Sequence, residues 1–292
     1  MTIKDIITKE PLFCNKLTTH EPLNGGLSNE THIVTCEDKK YVVKIFFPQN
    51  EYLKLSRTTE LQAQSLAASM GLAPALYSNL EEDRYSVSEF LNGHLLTYEE
   101  IMENTIIQEL AKKMKLIHSM TGIDRNCSAF DLIDGYVGGI KQFQVAVPEG
   151  YEIILKKTEE IRYMRERDTQ NNHVYCHNDL LNLNILYENG KFGIIDWEIS
   201  GFGDPYMDLA TLPYQMNFSK EKETVLLTSY FGYFEEEMRT ALHQMRYIGM
   251  VREVVWALFY AGLNKKSANH DNDYYQSARY AMDRIQKGYL SM

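Results

Sequence analysis

The run His177-Asn178-Asp179-Leu180-Leu181-Asn182-Leu183-Asn184, followed twelve residues after Asn184 by Asp196, limits the folds open to this chain more than any other stretch. Asp179 and Asn184 flank a short polar loop. Asp196 closes an apolar strand, in Ile195-Asp196-Trp197-Glu198. Phosphoryl transfer needs groups of this kind: a carboxylate to take a hydroxyl proton, and oxygen ligands that hold Mg2+ on nucleotide phosphates. The plain alternative is a polar turn whose Asp and Asn side chains cap local backbone.

The chain has 292 residues, 44% hydrophobic and 24% charged, which excludes a disordered or collagen-like protein. That length can bury a large core, as one large domain or as lobes of roughly 90 and 200 residues. The formal charge of −10 argues against a nucleic-acid partner, since the protein's own field would oppose phosphates, and it favours cationic small molecules. Cys14, Cys36, Cys127 and Cys176 form no C-x-x-C pair, so neither structural zinc nor a disulfide framework is expected. No apolar run nears the roughly 20 residues of a membrane span, and the opening MTIKDIITKEPLF has no signal-peptide core. No membrane insertion and a cytoplasmic location are the expectations.

The first ninety residues read as strand-rich. Thr31 to Cys36 and Tyr41 to Phe47 are β-branched and aromatic runs around a Glu37-Asp38-Lys39-Lys40 turn, and Ala75 to Leu80 and Tyr85 to Phe90 form a second pair. Between them the spacing predicts a helix from Arg57 to Met70, ended by Gly71. Helices are predicted over Thr105 to Met120 and Tyr151 to Arg167, with short strands near Val174 to Leu186 and Lys191 to Ile195. Met245 to Leu263 reads as a buried helix, apolar nearly all round.

Two small-lobe features carry chemistry. Asn24-Gly25-Gly26-Leu27-Ser28-Asn29 lies between apolar segments, where a flexible loop would bring backbone N–H groups close to phosphates, although two glycines also make an ordinary turn. Lys44 sits mid-strand in Tyr41-Val42-Val43-Lys44-Ile45, which is costly unless its charge meets a partner or reaches solvent at an edge.

With these motifs the chain resembles the choline/ethanolamine kinase branch of the kinase-like small-molecule phosphotransferases, a group that includes aminoglycoside and thiamine kinases. The H-N-D-x-x-x-x-N loop, I-D-W-E, and Gly203-Asp204-Pro205 with Asp208-Leu209-Ala210 carry the resemblance. It implies an α+β, two-lobed protein-kinase-like fold: a small antiparallel-sheet lobe with one helix over residues 1–91, and a larger, mainly helical lobe over 92–292. It further implies ATP and Mg2+, with Asp179 as catalytic base and Asn184 and Asp196 as metal ligands. Lys44 would contact the nucleotide phosphates and pair with Glu60, while Gly25, Gly26, Ser28 and Asn29 would cradle them. Glu89 and Leu91 fall at the family's connection between lobes, where adenine would pair with backbone. Asp208 would order the catalytic loop, and His177 would orient it.

The acceptor is harder to read. A quaternary ammonium is held by aromatic faces and nearby carboxylates. Val255-Trp256-Ala257-Leu258-Phe259 and Tyr275 are similar to choline-pocket segments, and the resemblance puts Trp256, Phe259 and Tyr275, with Asp179, Glu198 and Gln215, in contact with substrate. Trp256 and Phe259 would equally serve as core. Two positions depart from the family: Gln215 stands where choline kinases carry a glutamate, and Ile199 where they carry a tyrosine, with Tyr206 or Tyr214 as replacements for the lost ring. The expected activity is ATP- and Mg2+-dependent phosphorylation of choline or a related amino alcohol. A thiamine or aminoglycoside kinase is the alternative, and a non-catalytic kinase-like binding module a third reading. The sequence leaves the oligomeric state open.

Overall fold

A computed structural model of the chain describes residues 1–23, 29–46, 55–78, 84–168, 173–264 and 273–288. In chain order these form α1 (Ile3–Lys9), β1 (Thr18–Pro22), β2 (Asn29–Cys36), β3 (Lys39–Phe46), α2 (Arg57–Ser69), β4 (Leu76–Ser78), β5 (Tyr85–Glu89) and β6 (His94–Leu95). Next come α3 (Tyr98–Ile101), α4 (Asn104–His118), α5 (Ala129–Gln142), α6 (Tyr151–Glu166) and β7 (Val174–Cys176). A 3-10 turn over Asn182–Asn184 leads into β8 (Ile185–Glu188) and β9 (Lys191–Ile194). The remainder is β10 (Gly201–Gly203), α7 (Tyr206–Met216), α8 (Lys220–Phe231), α9 (Glu236–Asn264) and α10 (Tyr274–Gly288). Among the described residues no helix is long and apolar enough to cross a membrane.

Two compact units result. One comprises Met1–Glu51, Leu55–Leu96 and Asn182–Ile199; the other comprises Tyr52–Lys54, Thr97–Leu181 and Ser200–Met292. This differs from a single division at residue 91/92. Asn182–Ile199 joins the sheet-bearing unit because β6 pairs antiparallel with β8, His94 opposite Tyr187.

In the first unit the strands run antiparallel in the order β1-β2-β3-β5-β4. The β2–β3 hairpin pairs Cys36 with Lys39 and Thr31 with Lys44. Strand side chains alternate between faces. Tyr41, Val43 and Ile45 therefore enter one core with Val34, Val87 and the Ile3, Ile6 and Phe13 of the N-terminal segment. The same alternation sends Lys44 to the opposite face, where α2 supplies Glu60. Ser56 caps α2 through the Thr59 N–H. Asn189 and Gly190, both left-handed at φ 48° and 84°, close the β8–β9 hairpin as a two-residue turn of mirror-image type.

The second unit is built on α9, about 43 Å long at 1.5 Å per residue. It packs against α5, α7 and α10. Its stretch Met245 to Leu263 is not apolar all round. Val251, Val254, Val255, Leu258 and Phe259 are buried, whereas Arg252, Glu253, Trp256 and Tyr260 share a partly exposed side. The sequence did not disclose α1, β1, β6, α3, α5 or β10. The three glycines of α5 (Gly135, Gly138, Gly139) lower its helix propensity. One is required for packing, because a Cβ on Gly139 would lie 2.3 Å from the Phe259 ring.

Candidate active site

Within the first unit Lys44 meets two carboxylates. Its Nζ donates to Glu60 Oε1 at 2.8 Å and to Asp196 Oδ1 at 3.0 Å. Arg57, which sequence reasoning missed, completes the cluster. Its Nη1 donates to Glu60 Oε2 at 2.7 Å and reaches Glu198 Oε2 at 3.4 Å, while its Nη2 donates to Asn29 Oδ1 at 3.0 Å. Its guanidinium also lies over the Phe46 ring. The signal was present: Arg57 precedes Glu60 by three residues, one turn apart on a helix.

Three carboxylates thus face two cations in a largely buried place. Burial pulls the Lys44 ammonium down, but Asp196, Glu60 and Glu198 together reverse this and leave it well above its ordinary value. Glu198 is raised: burial dominates and the Asp196 charge adds to it, against the pull of Lys44. The cluster carries one negative charge more than it neutralises.

The turn that presents Asp196 is pinned on both sides. Asp196 is left-handed at φ 68°, uncommon for a residue with a side chain. Before it, the Ile195 N–H donates to the Asn184 carbonyl at 3.0 Å. After it, the buried Trp197 donates its indole N–H to the Ile194 carbonyl. Asn184 is itself buried at the end of the 3-10 turn. Gly25, Gly26 and Ser28 lie outside the described residues. The Glu89 carboxylate accepts from the Ala75 N–H at 3.3 Å, and the Leu91 side chain fills the space beside Gly193.

In the second unit the loop holding Asp179 is ordered by Asp208, none of which is exposed. Asp208 accepts from the His177 N–H at 2.8 Å, the Asn178 N–H at 2.7 Å and His118 Nε2 at 3.0 Å. Burial pushes this carboxyl up, but the hydrogen bond and charge of His118, together with His177, hold it below its ordinary value. His118 Nδ1 meets the Tyr230 hydroxyl at 2.6 Å. His118 had no sequence signal beyond its place at the end of a helix. His177 accepts from the Asp179 N–H at its Nδ1 and so acts as a brace within the loop. His118, Cys176 and Asp208 lie close enough together for a metal. However, burial raises the Cys176 thiol, and Asp208 is committed to N–H donors.

Asp179 Oδ1 accepts from Arg252 Nη2 at 2.8 Å. Arg252 was also missed, although a charged residue inside an apolar helix needs a partner.

The expected substrate residues divide. Trp256 is half-buried, its ring 5.1 Å from that of Tyr260 and 5.6 Å from that of Tyr274. Tyr274 completes this aromatic group, and Tyr275, next in the chain, is half-exposed. Phe259 is a core ring with none of its surface exposed, packed on Tyr136 and Phe143 and meeting the Tyr260 ring edge-on at 5.5 Å. Residues three apart on a helix diverge by about 60°, so Phe259 reaches the group through Tyr260 and has its other ring contacts in the interior. Gln215 is exposed on the last turn of α7, and Ile199 is buried. Neither replacement ring is open: Tyr206 is buried under the Arg165 guanidinium, and Tyr214 is hydrogen-bonded to Glu253 with Arg284 over its ring.

The model of the choline/ethanolamine kinase family matches residues 20–218. A probable ethanolamine kinase A of Dictyostelium discoideum is 26% identical, covering 91% of this chain and 84% of that protein. The crystal structure of choline kinase LicA from Streptococcus pneumoniae superposes with a TM-score of 0.78 at 22% identity, covering 98% of this chain and 99% of that one. A LicA structure in complex with AMP gives 0.69 at 20% identity, covering 92% and 93%. At these identities the structures establish a kinase-like fold. The chain belongs to the choline/ethanolamine kinase family and is a phosphotransferase with an alcohol as its acceptor.

Proposed function

We propose that this protein transfers the γ-phosphate of ATP to the hydroxyl of choline or a related amino alcohol, with Mg2+ and with Asp179 as base. The observation that supports it most is the placement of Lys44 3.0 Å from Asp196 and 2.8 Å from Glu60. A strand lysine so held presents a fixed cation to phosphates without having to be reorganised. Asn29 belongs to the same network through Arg57, and Gly25, Gly26 and Ser28 would add backbone N–H groups.

The donor set suits a hard divalent cation. Asn184 and Asp196 offer oxygen, and the Lys44 cluster has an excess carboxylate. These two residues would hold Mg2+, which when bound offsets negative charge on the nucleotide phosphates. Asp179 aligns the acceptor hydroxyl and takes its proton on a carboxylate oxygen. As the new oxygen–phosphorus bond forms, the bond from the γ-phosphorus to its bridging oxygen breaks and ADP leaves. Trp256, Tyr260 and Tyr274 would face the ammonium, with Tyr275 at their edge and Phe259 supporting them from the core. A cytoplasmic site of action, alongside ATP, fits this chemistry.

The test is ADP release measured over choline, ethanolamine, thiamine and an aminoglycoside. Choline or ethanolamine should stimulate turnover in wild type and not in D179A, which should still bind nucleotide. Stimulation by thiamine or the aminoglycoside alone would refute the acceptor, and D179A at wild-type rate would refute the base.

A further inference from the structure

We propose that Arg252 is a positioning residue that aims the Asp179 carboxylate; this rests on Asp179 being the base. The guanidinium makes two bonds to consecutive residues of the loop. Nη1 donates to the Asn178 carbonyl, and Nη2 donates to Asp179 Oδ1 at 2.8 Å. The Arg252 side chain is 12% exposed and the Asp179 side chain 23%, so the pair is only partly screened by water.

The peptide that leads into Asp179 is gripped from several sides. Asn178 is left-handed at φ 65°. Its N–H is held by Asp208 and its side-chain amide donates to the Cys127 carbonyl at 2.7 Å. Arg252 takes the carbonyl of the same residue. The second nitrogen of the fork, on the Asp179 carboxylate itself, restrains the rotation of that carboxylate. Engaging one oxygen from a set direction fixes the carboxylate plane, and hence the direction in which its other oxygen meets an incoming hydroxyl.

A purely structural role is a weaker account. α9 is already anchored by Val251, Val254, Val255 and Leu258, and a buried ion pair is a poor source of stability compared with apolar packing. The planar fork matters as well. A lysine ammonium is a single point that cannot span a backbone carbonyl and a neighbouring carboxylate in one plane.

The test compares R252A, R252K and D179N in the ADP-release assay, with choline as acceptor, or ethanolamine where choline supports no turnover. R252A should lose about 100-fold in kcat with the KM for ATP changed less than about twofold, the signature of a misaligned base. R252K should fall between R252A and wild type. Millimolar guanidinium chloride should restore a saturable part of the R252A rate and none of the D179N rate. An R252A kcat within about threefold of wild type overturns the proposal, as does a loss that guanidinium leaves untouched. Where R252A does not fold, by thermal melting, R252K decides, and a wild-type kcat there overturns it. D179N at full rate removes the base itself; D179N inactive beside a fully active R252A removes only the clamp.

Discussion

Lys44 Nζ and Asp196 Oδ1, 152 residues apart in sequence, stand 3.0 Å from each other within one compact unit. Glu60 and Glu198 compete for the same two cations, so the balance among these groups decides how the cluster responds to substitution and to metal. Replacing Asp196 by Asn removes the excess negative charge. We expect D196N to lose at least about 100-fold in kcat, and Mg2+ to raise the melting temperature of the ATP-bound wild type but not that of the variant. Calorimetry with and without Mg2+ checks this; an equal Mg2+ response would remove Asp196 as a ligand.

Lys44→Met should act on stability as well as on rate. It leaves Glu60, Asp196 and Glu198 facing Arg57 alone, and stranding carboxylates buried to this degree costs about 2–3 kcal/mol after allowing for the partial exposure of Asp196. Urea unfolding should show the loss. E60Q combined with Lys44→Met should recover part of it, because it removes one of the stranded charges.

Asp208 sets an acid limit. Its folded carboxyl lies below the ordinary value, so its contribution is complete above the unfolded value of about 3.9 and fades as pH falls through the folded one. The gap in unfolding free energy between wild type and D208N should be constant near neutrality and narrow below about pH 4. A gap that widened on acidification would reverse the sign assigned here.

Gly139→Ala tests the α5–α9 contact. A methyl placed 2.3 Å from the Phe259 ring must displace it, at about 1–3 kcal/mol, against a gain in helix propensity of about 1 kcal/mol. Net destabilisation is expected in denaturant. The G139A/F259L double variant should lose less than the sum of its parts, since the smaller side chain vacates the contested space.

Trp256→Ala should raise the KM for choline about tenfold and leave that for ATP unchanged, given roughly 1–2 kcal/mol for a partly desolvated cation–π contact. Equal effects on both substrates would mean that Trp256 serves packing alone.

Much of this was legible beforehand because it is written in short spacings. The Lys44 strand, the Arg57 helix and the His177–Asn184 loop each announce themselves within a dozen residues, and their elements lie within two residues of expectation. What escaped depends on distant partners. Arg252 and Asp179 are 73 residues apart, and Asp208 and His118 are 90 apart, so no local pattern joins them. The glycines of α5 hid a helix because propensity counts the missing side chain and not the ring that needs its space. Trp256 and Phe259, three residues apart, were grouped as neighbours, yet the helix turns one toward Tyr274 and the other into the interior.

The α9 rod carries Arg252, which touches Asp179, and one turn further on Trp256, which belongs to the aromatic group. Four residues of helix advance about 6 Å, a spacing the backbone hydrogen bonds keep rigid. Under the proposed function the helix would thereby act as a gauge. If a hydroxyl meets one end and a cationic head the other, the pitch of α9 measures how many atoms separate them, and acceptors with too long a tether are rejected by length rather than by charge.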